Sequence, residues 1–119
     1  MDLHFDPQYV LYGLAGLTIA WTLLKRRGDI SSAEARKLVS EAGARLLDVR
    51  TPGEFAGGHL DGALNIPVAD LGASLKRVGP KEKPVIVYCA SGARSAMAAR
   101  MLKANGWKTV RNLGAMSRW

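Results

Sequence analysis

Residues 84–95 of this 119-residue chain join an apolar run to a small loop, Pro84-Val-Ile-Val-Tyr-Cys-Ala-Ser-Gly-Ala-Arg-Ser95. The β-branched residues ahead of the cysteine are typical of a parallel strand that is covered on both faces. Open parallel sheets place their functional sites at the carboxyl ends of their strands. The sequence therefore predicts that Cys89 lies at a strand end, in the position where chemistry is expected.

Helix and strand patterns alternate on both sides of this segment. A capping box at Ser31-x-x-Glu34 predicts the start of a helix, and Gly43 predicts its end. Such an alternation favours a small three-layer α/β domain over residues 28–119, with a mainly parallel central sheet flanked by helices. The further elements are predicted at 45–49 (strand), 54–56 (helix), 63–66 (strand), 71–78 (helix), 84–88 (strand), 95–105 (helix) and 109–112 (strand).

Composition limits the classes of protein that remain possible. Hydrophobic residues make up 48% and charged residues 23% of the chain, which indicates one packed core rather than a disordered chain. The single cysteine excludes an internal disulfide framework and a Cys-rich zinc site. The net charge of +7 comes mostly from scattered basic residues without interleaved aromatics, so we expect no nucleic-acid partner. No spacing indicates a metal site or a bound cofactor.

The N-terminal segment, residues 1–27, contains a long uncharged, apolar run, unlike the rest of the chain. Residues 9–24 carry no charge and precede the basic residues Lys25-Arg-Arg27, whereas Asp2 and Asp6 precede the apolar run. A helix over 9–24 would be about 24 Å long, somewhat shorter than the roughly 30 Å hydrocarbon core of a bilayer. We expect it to be a short single-pass transmembrane anchor that contacts the lipid bilayer, with local thinning of the bilayer. The positive-inside rule places the N terminus outside and the domain in the cytoplasm. A helix packed on the domain is the alternative.

The loop after the predicted strand has the composition of an anion-binding nest. A turn from Cys89 to Arg94 into a helix directs several backbone N–H groups at one point. These donors and Arg94 would stabilise a thiolate, which predicts a nucleophile with a pKa below the ordinary value. Gly92 suits a positive φ, and the Ser91 and Ser95 hydroxyls can donate to an anion. The alternative is that Cys89 is a small buried apolar residue.

Five segments across most of residues 28–119 together have the pattern of a known family. They are Leu46-Leu-Asp-Val-Arg50, Glu54-Phe55, Gly58-His-Leu-Asp-Gly-Ala-Leu-Asn-Ile-Pro67, Val85-Ile-Val-Tyr-Cys-Ala-Ser-Gly-Ala-Arg-Ser95 and Gly114-Ala-Met-Ser-Arg-Trp119. In content and in order, these segments resemble the rhodanese homology domain. The resemblance implies a sulfurtransferase, in which a cysteine accepts sulfane sulfur, holds it as a persulfide and passes it to an acceptor.

The resemblance also implies roles for individual residues. Cys89 would be the nucleophile and persulfide carrier, Arg94 would bind a small anionic donor such as thiosulfate, and Asp48 and Arg50 would brace the loop. A solvated surface ion pair is the alternative for Asp48 and Arg50. The expected acceptors are a thiol, cyanide or an acceptor protein. The groups expected to cradle the sulfur and bind the substrate belong to Ala90, Ser91, Gly92, Ala93, Arg94 and Ser95.

Three other functions are alternatives to this one. Tyrosine phosphatases use Cys-x5-Arg, whereas Cys89 and Arg94 form the tighter Cys-x4-Arg that suits a single sulfur. An oxidant sensor lacks a resolving cysteine in this chain. A membrane-tethered sulfur relay or docking module with little small-molecule turnover stays open. The loop also lacks the basic residue beside the cysteine that relatives efficient with thiosulfate carry, and His59 is expected to be a structural turn residue.

Overall fold

The structure is a computed structural model that describes residues 7–26 and 28–119. Helices and strands alternate along the chain, as predicted. A short 3-10 helix, Met116–Arg118, closes the described part. The elements are α1 (Pro7–Arg26), α2 (Ser32–Ala42), β1 (Arg45–Asp48), α3 (Pro52–Ala56), β2 (Leu64–Asn65), α4 (Val68–Leu71), α5 (Leu75–Val78), β3 (Val85–Cys89), α6 (Ala93–Ala104) and β4 (Val110–Ala115).

The strands form one four-stranded sheet in the order β2-β1-β3-β4, and every pairing is parallel. The strand that ends at Cys89 is internal, because β1 pairs with one of its edges and β4 with the other. The β3–β4 register shifts between Val87 and Tyr88, so that Tyr88 pairs with Gly114. The predicted parallel sheet is confirmed.

Two apolar clusters cover the two faces of the sheet, which gives the predicted three layers. Alternate residues of β3 serve the two clusters, since Tyr88 faces one and Cys89 the other. The first cluster packs beneath α2 and includes Ile30, Ala35, Leu46, Ile86, Tyr88 and Leu113. The second packs beneath α4, α5 and α6 and includes Leu47, Val49, Leu71, Val78, Val87, Cys89, Ala98 and Leu102.

Several predicted boundaries were wrong. The single helix expected over 71–78 is two short helices, α4 and α5, because the chain turns at Gly72–Ser74 between them. Glycine has a low helix propensity, and Ser74 has the non-helical φ of −123°. Helix α6 begins at Ala93, two residues before the predicted start. Strand β4 continues past Asn112 to Ala115, where it pairs with Cys89.

The two Ser/Thr-x-x-Glu patterns of the sequence cap their helices in different ways. Ser31 caps α2 by accepting a hydrogen bond from the Glu34 amide at 3.2 Å, and Gly43 ends that helix with a φ of +64°. Both predictions are confirmed. The full reciprocal capping box lies instead at Thr51 and Glu54, at the start of α3. Glu54 is therefore held by the backbone of its own helix.

The apolar N-terminal segment forms α1, which extends the predicted helix at both ends. Several of its described side chains are exposed, among them Tyr9, Leu11 and Leu17. Within residues 7–26 and 28–119, no helix combines the length and the apolar character that a membrane crossing requires. The predicted transmembrane span is therefore not supported. The uncharged run contains glycine, threonine and tyrosine, which lower its hydropathy. Asp2, Asp6 and Arg27 lie outside the described residues.

Candidate active site

Cys89 is the last residue of β3 and lies at the carboxyl edge of the parallel sheet. Its side chain is fully buried. Helix α6 begins four residues later, so the intervening loop connects the strand end directly to a helix N terminus. This is the strand–loop–helix arrangement predicted from the sequence, and it directs the positive end of the α6 dipole toward the sulfur.

Two loop residues contact the cysteine sulfur directly. The Gly92 amide donates a hydrogen bond to Cys89 Sγ at 2.9 Å. The Ser95 hydroxyl lies 3.4 Å from the same sulfur and donates to the Gly92 carbonyl at 3.1 Å. Cys89, Gly92 and Ser95 thus form a closed hydrogen-bonded group, and all three are buried.

The sharp turn of the loop depends on Gly92. This residue precedes the first turn of α6 and has a φ of +100° and a ψ of −15°. Residues with a β-carbon rarely adopt this region of backbone space, whereas glycine does so readily. The turn brings the Gly92 amide back onto the sulfur of a residue three positions earlier.

The pKa of the Cys89 thiol lies below its ordinary value, as a result of opposing effects. Burial raises this pKa, because it disfavours the charged thiolate. The Ser95 hydroxyl and the backbone amides of Ser95, Gly92 and Ser91 lower it by hydrogen bonding, and together they outweigh burial. The loop therefore favours the nucleophilic form of the sulfur.

The other predicted loop residues line the outside of this nest. Ala90, Ser91 and Ala93 are exposed, so the loop borders solvent on its outer side. Of these three residues, Ser91 directs its backbone amide at the sulfur, and none adds a bulky side chain to the outer side of the loop. A small molecule that approached the loop would meet backbone and a serine hydroxyl first.

Arg94 forms an ion pair that sequence reasoning missed. Its Nη1 and Nη2 atoms lie 2.7 Å and 3.0 Å from the two carboxylate oxygens of Glu54, in a bidentate pair. Both side chains are about one-third exposed, at 33% and 34%. The sequence placed Glu54 at the start of a short helix and in a family motif, but it indicated no partner for this carboxylate. The two partners are 40 positions apart in the sequence, so no local pattern indicated the contact.

Glu54 is itself fixed in place by Thr51. Its Oε1 atom accepts hydrogen bonds from the Thr51 amide at 3.2 Å and from the Thr51 hydroxyl at 3.1 Å. The Arg94 guanidinium and these Thr51 donors lower the pKa of Glu54 to about 2. Glu54 is therefore a carboxylate at neutral pH.

Asp48 and Arg50 form a buried ion pair beside the end of β1. Arg50 Nη2 lies 2.7 Å from Asp48 Oδ2, and the two residues are 6% and 0% exposed. The alternative of a solvated surface pair is therefore wrong. Arg50 also donates to the Gly58 carbonyl at 2.7 Å and lies over the Tyr88 ring. The pair thus connects β1 to the turn after α3 and to β3.

Three further polar residues support this region. Asn65 donates to the Asp48 and Arg50 carbonyls at 3.0 Å and 2.9 Å, which fixes the chain at the end of β1. The Tyr88 hydroxyl accepts a hydrogen bond from the Leu60 amide at 3.1 Å. His59 stacks on Phe55 and bonds its carbonyl at 2.9 Å, which agrees with a structural role. Asn65 and Tyr88 were not predicted as supporting residues.

Comparisons with known proteins agree with this geometry. The family model described as a rhodanese-like domain matches residues 31–119. The uncharacterized protein YqhL of Bacillus subtilis is 43% identical over 77 residues, which are 64% of this chain and 60% of that protein. The chain thus spans less than two thirds of this relative.

A human sulfurtransferase sequence and a solved human sulfurtransferase structure are also similar to this chain. The thiosulfate:glutathione sulfurtransferase of Homo sapiens is 34% identical over 104 residues, covering 76% of this chain and 90% of that protein. The solved structure of the human single-domain sulfurtransferase TSTD1 is 32% identical and superposes with a TM-score of 0.69, over 76% of this chain and 92% of the other. The resemblance to rhodanese-like sulfurtransferases is confirmed, and the chain belongs to the rhodanese-like domain family.

Proposed function

We propose that this enzyme moves sulfane sulfur from a small donor of the thiosulfate type to a thiol acceptor, with Cys89 as the covalent carrier. The observation that carries this proposal is the contact between the Gly92 amide and the buried Cys89 sulfur at 2.9 Å. A sulfur held by inward-directed N–H groups at a helix N terminus is stabilised as an anion. The same donors would stabilise a persulfide, whose outer sulfur is also anionic.

The proposed reaction has two balanced steps. In the first, the Cys89 thiolate attacks the outer sulfur of thiosulfate, a new S–S bond forms, and sulfite leaves with the electron pair of the broken S–S bond. In the second, an acceptor thiolate attacks the outer sulfur of the Cys89 persulfide. The acceptor leaves as a persulfide and the Cys89 thiolate is regenerated, so no oxidant or reductant is consumed.

The loop residues have different roles in stabilising the sulfur and admitting the donor. The amides of Ser91, Gly92 and Ser95 stabilise the sulfur anion before and after loading. The Ser95 hydroxyl adds a donor that rotates toward the thiolate when the thiol loses its proton. Ala90 and Ala93 leave the outer side of the loop open to the donor. Arg94 places a guanidinium near the sulfur, where the Glu54 carboxylate pairs with it.

Relatives support the choice of substrates. The human relative is named as a thiosulfate:glutathione sulfurtransferase, and a relative of Escherichia coli as a thiosulfate sulfurtransferase. These names couple a thiosulfate donor with a thiol acceptor in a protein that is 34% identical to this chain. We carry both substrate classes over as part of the proposal.

Steady-state turnover tests the proposal. The full chain is supplied with thiosulfate and glutathione, and sulfite release is followed over time. We expect continuous sulfite release by the wild type and none by Cys89→Ser, because an alkoxide nucleophile is not formed at neutral pH in this loop. Wild-type turnover that survives in Cys89→Ser would contradict the proposal.

We also propose that α1 holds the domain at the cytoplasmic face of a membrane. Support comes from its described apolar side chains, since Tyr9, Leu11 and Leu17 are 75%, 66% and 69% exposed. Exposed apolar surface of this extent marks an interaction site, and the basic residues 25–27 that follow in the sequence favour an anionic lipid surface.

Flotation with vesicles of phosphatidylcholine and phosphatidylglycerol tests this location. The full chain should float with the vesicles, whereas a chain of residues 28–119 and the variant Leu14→Lys/Leu17→Lys should not. A full chain that stays at the bottom of the gradient would contradict the location. It would leave the sulfur-transfer proposal unaffected, because the Cys89 loop lies in a different part of the chain.

A further inference from the structure

Arg94 is already engaged by a carboxylate in the free enzyme. Its two terminal nitrogens bond the two oxygens of Glu54 at 2.7 Å and 3.0 Å, which is the geometry that a guanidinium would use for an anionic substrate. An anionic donor must therefore compete with Glu54 for this group or use only its remaining N–H positions. The Glu54 carboxylate is the main cause that raises the pKa of Arg94, and the nearby Cys89 thiolate raises it further.

Glu54 cannot turn away without losing its own contacts. The Thr51 amide and hydroxyl hold its Oε1 atom, and Thr51 and Glu54 complete the capping box of α3. The carboxylate is therefore anchored on the side of α3 while it binds Arg94. Its low pKa keeps the charge in place across the neutral range.

Each of the two ion pairs near the loop is neutral within itself. Asp48 neutralises Arg50 within the buried pair, and Glu54 neutralises Arg94 at the more exposed pair. The electrostatic attraction offered to a donor by these four side chains is thus small. The backbone amides of the loop stabilise the sulfur itself, but they supply only partial charges.

We propose that Glu54 is a specificity-determining positioning residue that acts through Arg94 and disfavours dianionic sulfur donors relative to persulfides of low charge. This inference rests on the proposed sulfur transfer and names the donor class. A persulfide donor reacts in a balanced step, since the Cys89 thiolate takes its outer sulfur and the remaining thiolate leaves with the electron pair. Such a donor brings at most one negative charge to the loop, whereas thiosulfate brings two.

Glu54→Gln tests the inference with little cost to the fold. Glutamine also completes capping boxes, so the Thr51 contact can be kept while the negative charge is removed. Single-turnover loading of Cys89 is measured with thiosulfate and with 2-hydroxyethyl persulfide generated in situ. For thiosulfate we expect a lower half-saturation concentration and about a tenfold higher apparent second-order rate constant, the change that about 1.4 kcal/mol would produce.

The persulfide arm and a matched control exclude a merely structural effect. The rate with 2-hydroxyethyl persulfide should change by less than about twofold, because the form that the Cys89 thiolate attacks is the neutral perthiol, which offers Arg94 no charge to bind. Glu41→Gln makes the same change of charge on an exposed residue of α2, on the opposite face of the sheet from α6. This control should leave both rates unchanged.

A double-mutant cycle shows whether Glu54 acts through Arg94. In an Arg94→Gln background, Glu54→Gln should no longer raise the thiosulfate rate, since the released guanidinium is absent. An unchanged thiosulfate rate in Glu54→Gln, an equal rise with both donors, or a rise that persists in the Arg94→Gln background would overturn the inference. Failure of the wild type to load sulfur from either donor would instead refute the sulfur-transfer proposal.

Discussion

The Gly92 amide donates a hydrogen bond to the Cys89 sulfur at 2.9 Å, and Gly92 has the positive φ of +100°. The two residues are therefore coupled, because the Gly92 amide is one of the donors that, after the Ser95 hydroxyl and amide, lower the pKa of the Cys89 thiol. Gly92→Ala would place a β-carbon in the left-handed region, at a cost of about 1–2 kcal/mol in the free energy of unfolding. We expect slower alkylation of Cys89 by iodoacetamide at pH 7 and lower stability in urea.

Gly57→Ala serves as the control for this substitution. Gly57 has the ordinary helical φ of −75°, and the nearest atom to an added β-carbon is 3.5 Å away. The control should keep the wild-type alkylation rate and unfold at the same or a slightly higher urea concentration. Equal behaviour of the two alanine variants would show that the positive φ is not required.

Ser95 gives a second way to alter the thiol. Its hydroxyl is the largest of the effects that lower the Cys89 pKa, so Ser95→Ala should raise that pKa. The pH dependence of iodoacetamide alkylation should then shift to higher pH. Ser91→Ala keeps the Ser91 amide, which is the group that acts on Cys89, and its alkylation profile should match the wild type. An unshifted profile in Ser95→Ala would contradict the assigned role of the hydroxyl.

The buried pair of Asp48 and Arg50 predicts a large change in stability. Arg50 is buried, with 6% of the residue exposed, and Asp48→Asn would leave its guanidinium without a counter-ion. Removing one partner of a buried ion pair costs about 3–5 kcal/mol in the free energy of unfolding. Urea unfolding should show this loss, whereas Asp70→Asn at an exposed position should change stability by less than about 0.5 kcal/mol. Similar stabilities of the two variants would contradict the structural role of the pair.

Glu54 makes the free energy of unfolding depend on pH in the acid range. Its pKa is about 2 in the folded protein, against an ordinary value of 4.5, so the folded state binds this proton less readily than the unfolded state. The stabilising contribution is complete above pH 4.5 and is lost as the pH falls toward 2. The difference in unfolding free energy between the wild type and Glu54→Gln should therefore shrink over this range. A difference that stays constant would contradict the lowered pKa.

Local patterns predicted the part of the site that lies on one stretch of chain. The apolar run before Cys89 gave the buried strand, and the small residues after it gave the loop with Gly92 at its positive φ. These features depend on neighbouring residues, so their spacing in the sequence carries the information. The same holds for the cap at Gly43, where one residue type satisfies a local backbone requirement.

Contacts between distant elements were not predictable in this way. Arg94 was expected to bind a substrate, but its guanidinium bonds Glu54 from α3. Sequence spacing does not reveal which carboxylate will meet a given arginine across a folded domain. The Asp48–Arg50 pair shows the same limit, because the sequence left its burial open and the sheet decides it. The break between α4 and α5 arises at Gly72–Ser74, inside the stretch that the sequence predicted as one helix over 71–78.

The most direct test of the central claim is the intact mass of the purified chain after incubation with thiosulfate, or with a low-molecular-weight persulfide. The wild type should gain the mass of one sulfur atom, dithiothreitol should remove it, and Cys89→Ser should gain none. This result would establish Cys89 as the carrier of sulfane sulfur. A wild type that gains no sulfur from either donor, or a Cys89→Ser variant that gains it equally, would contradict the account.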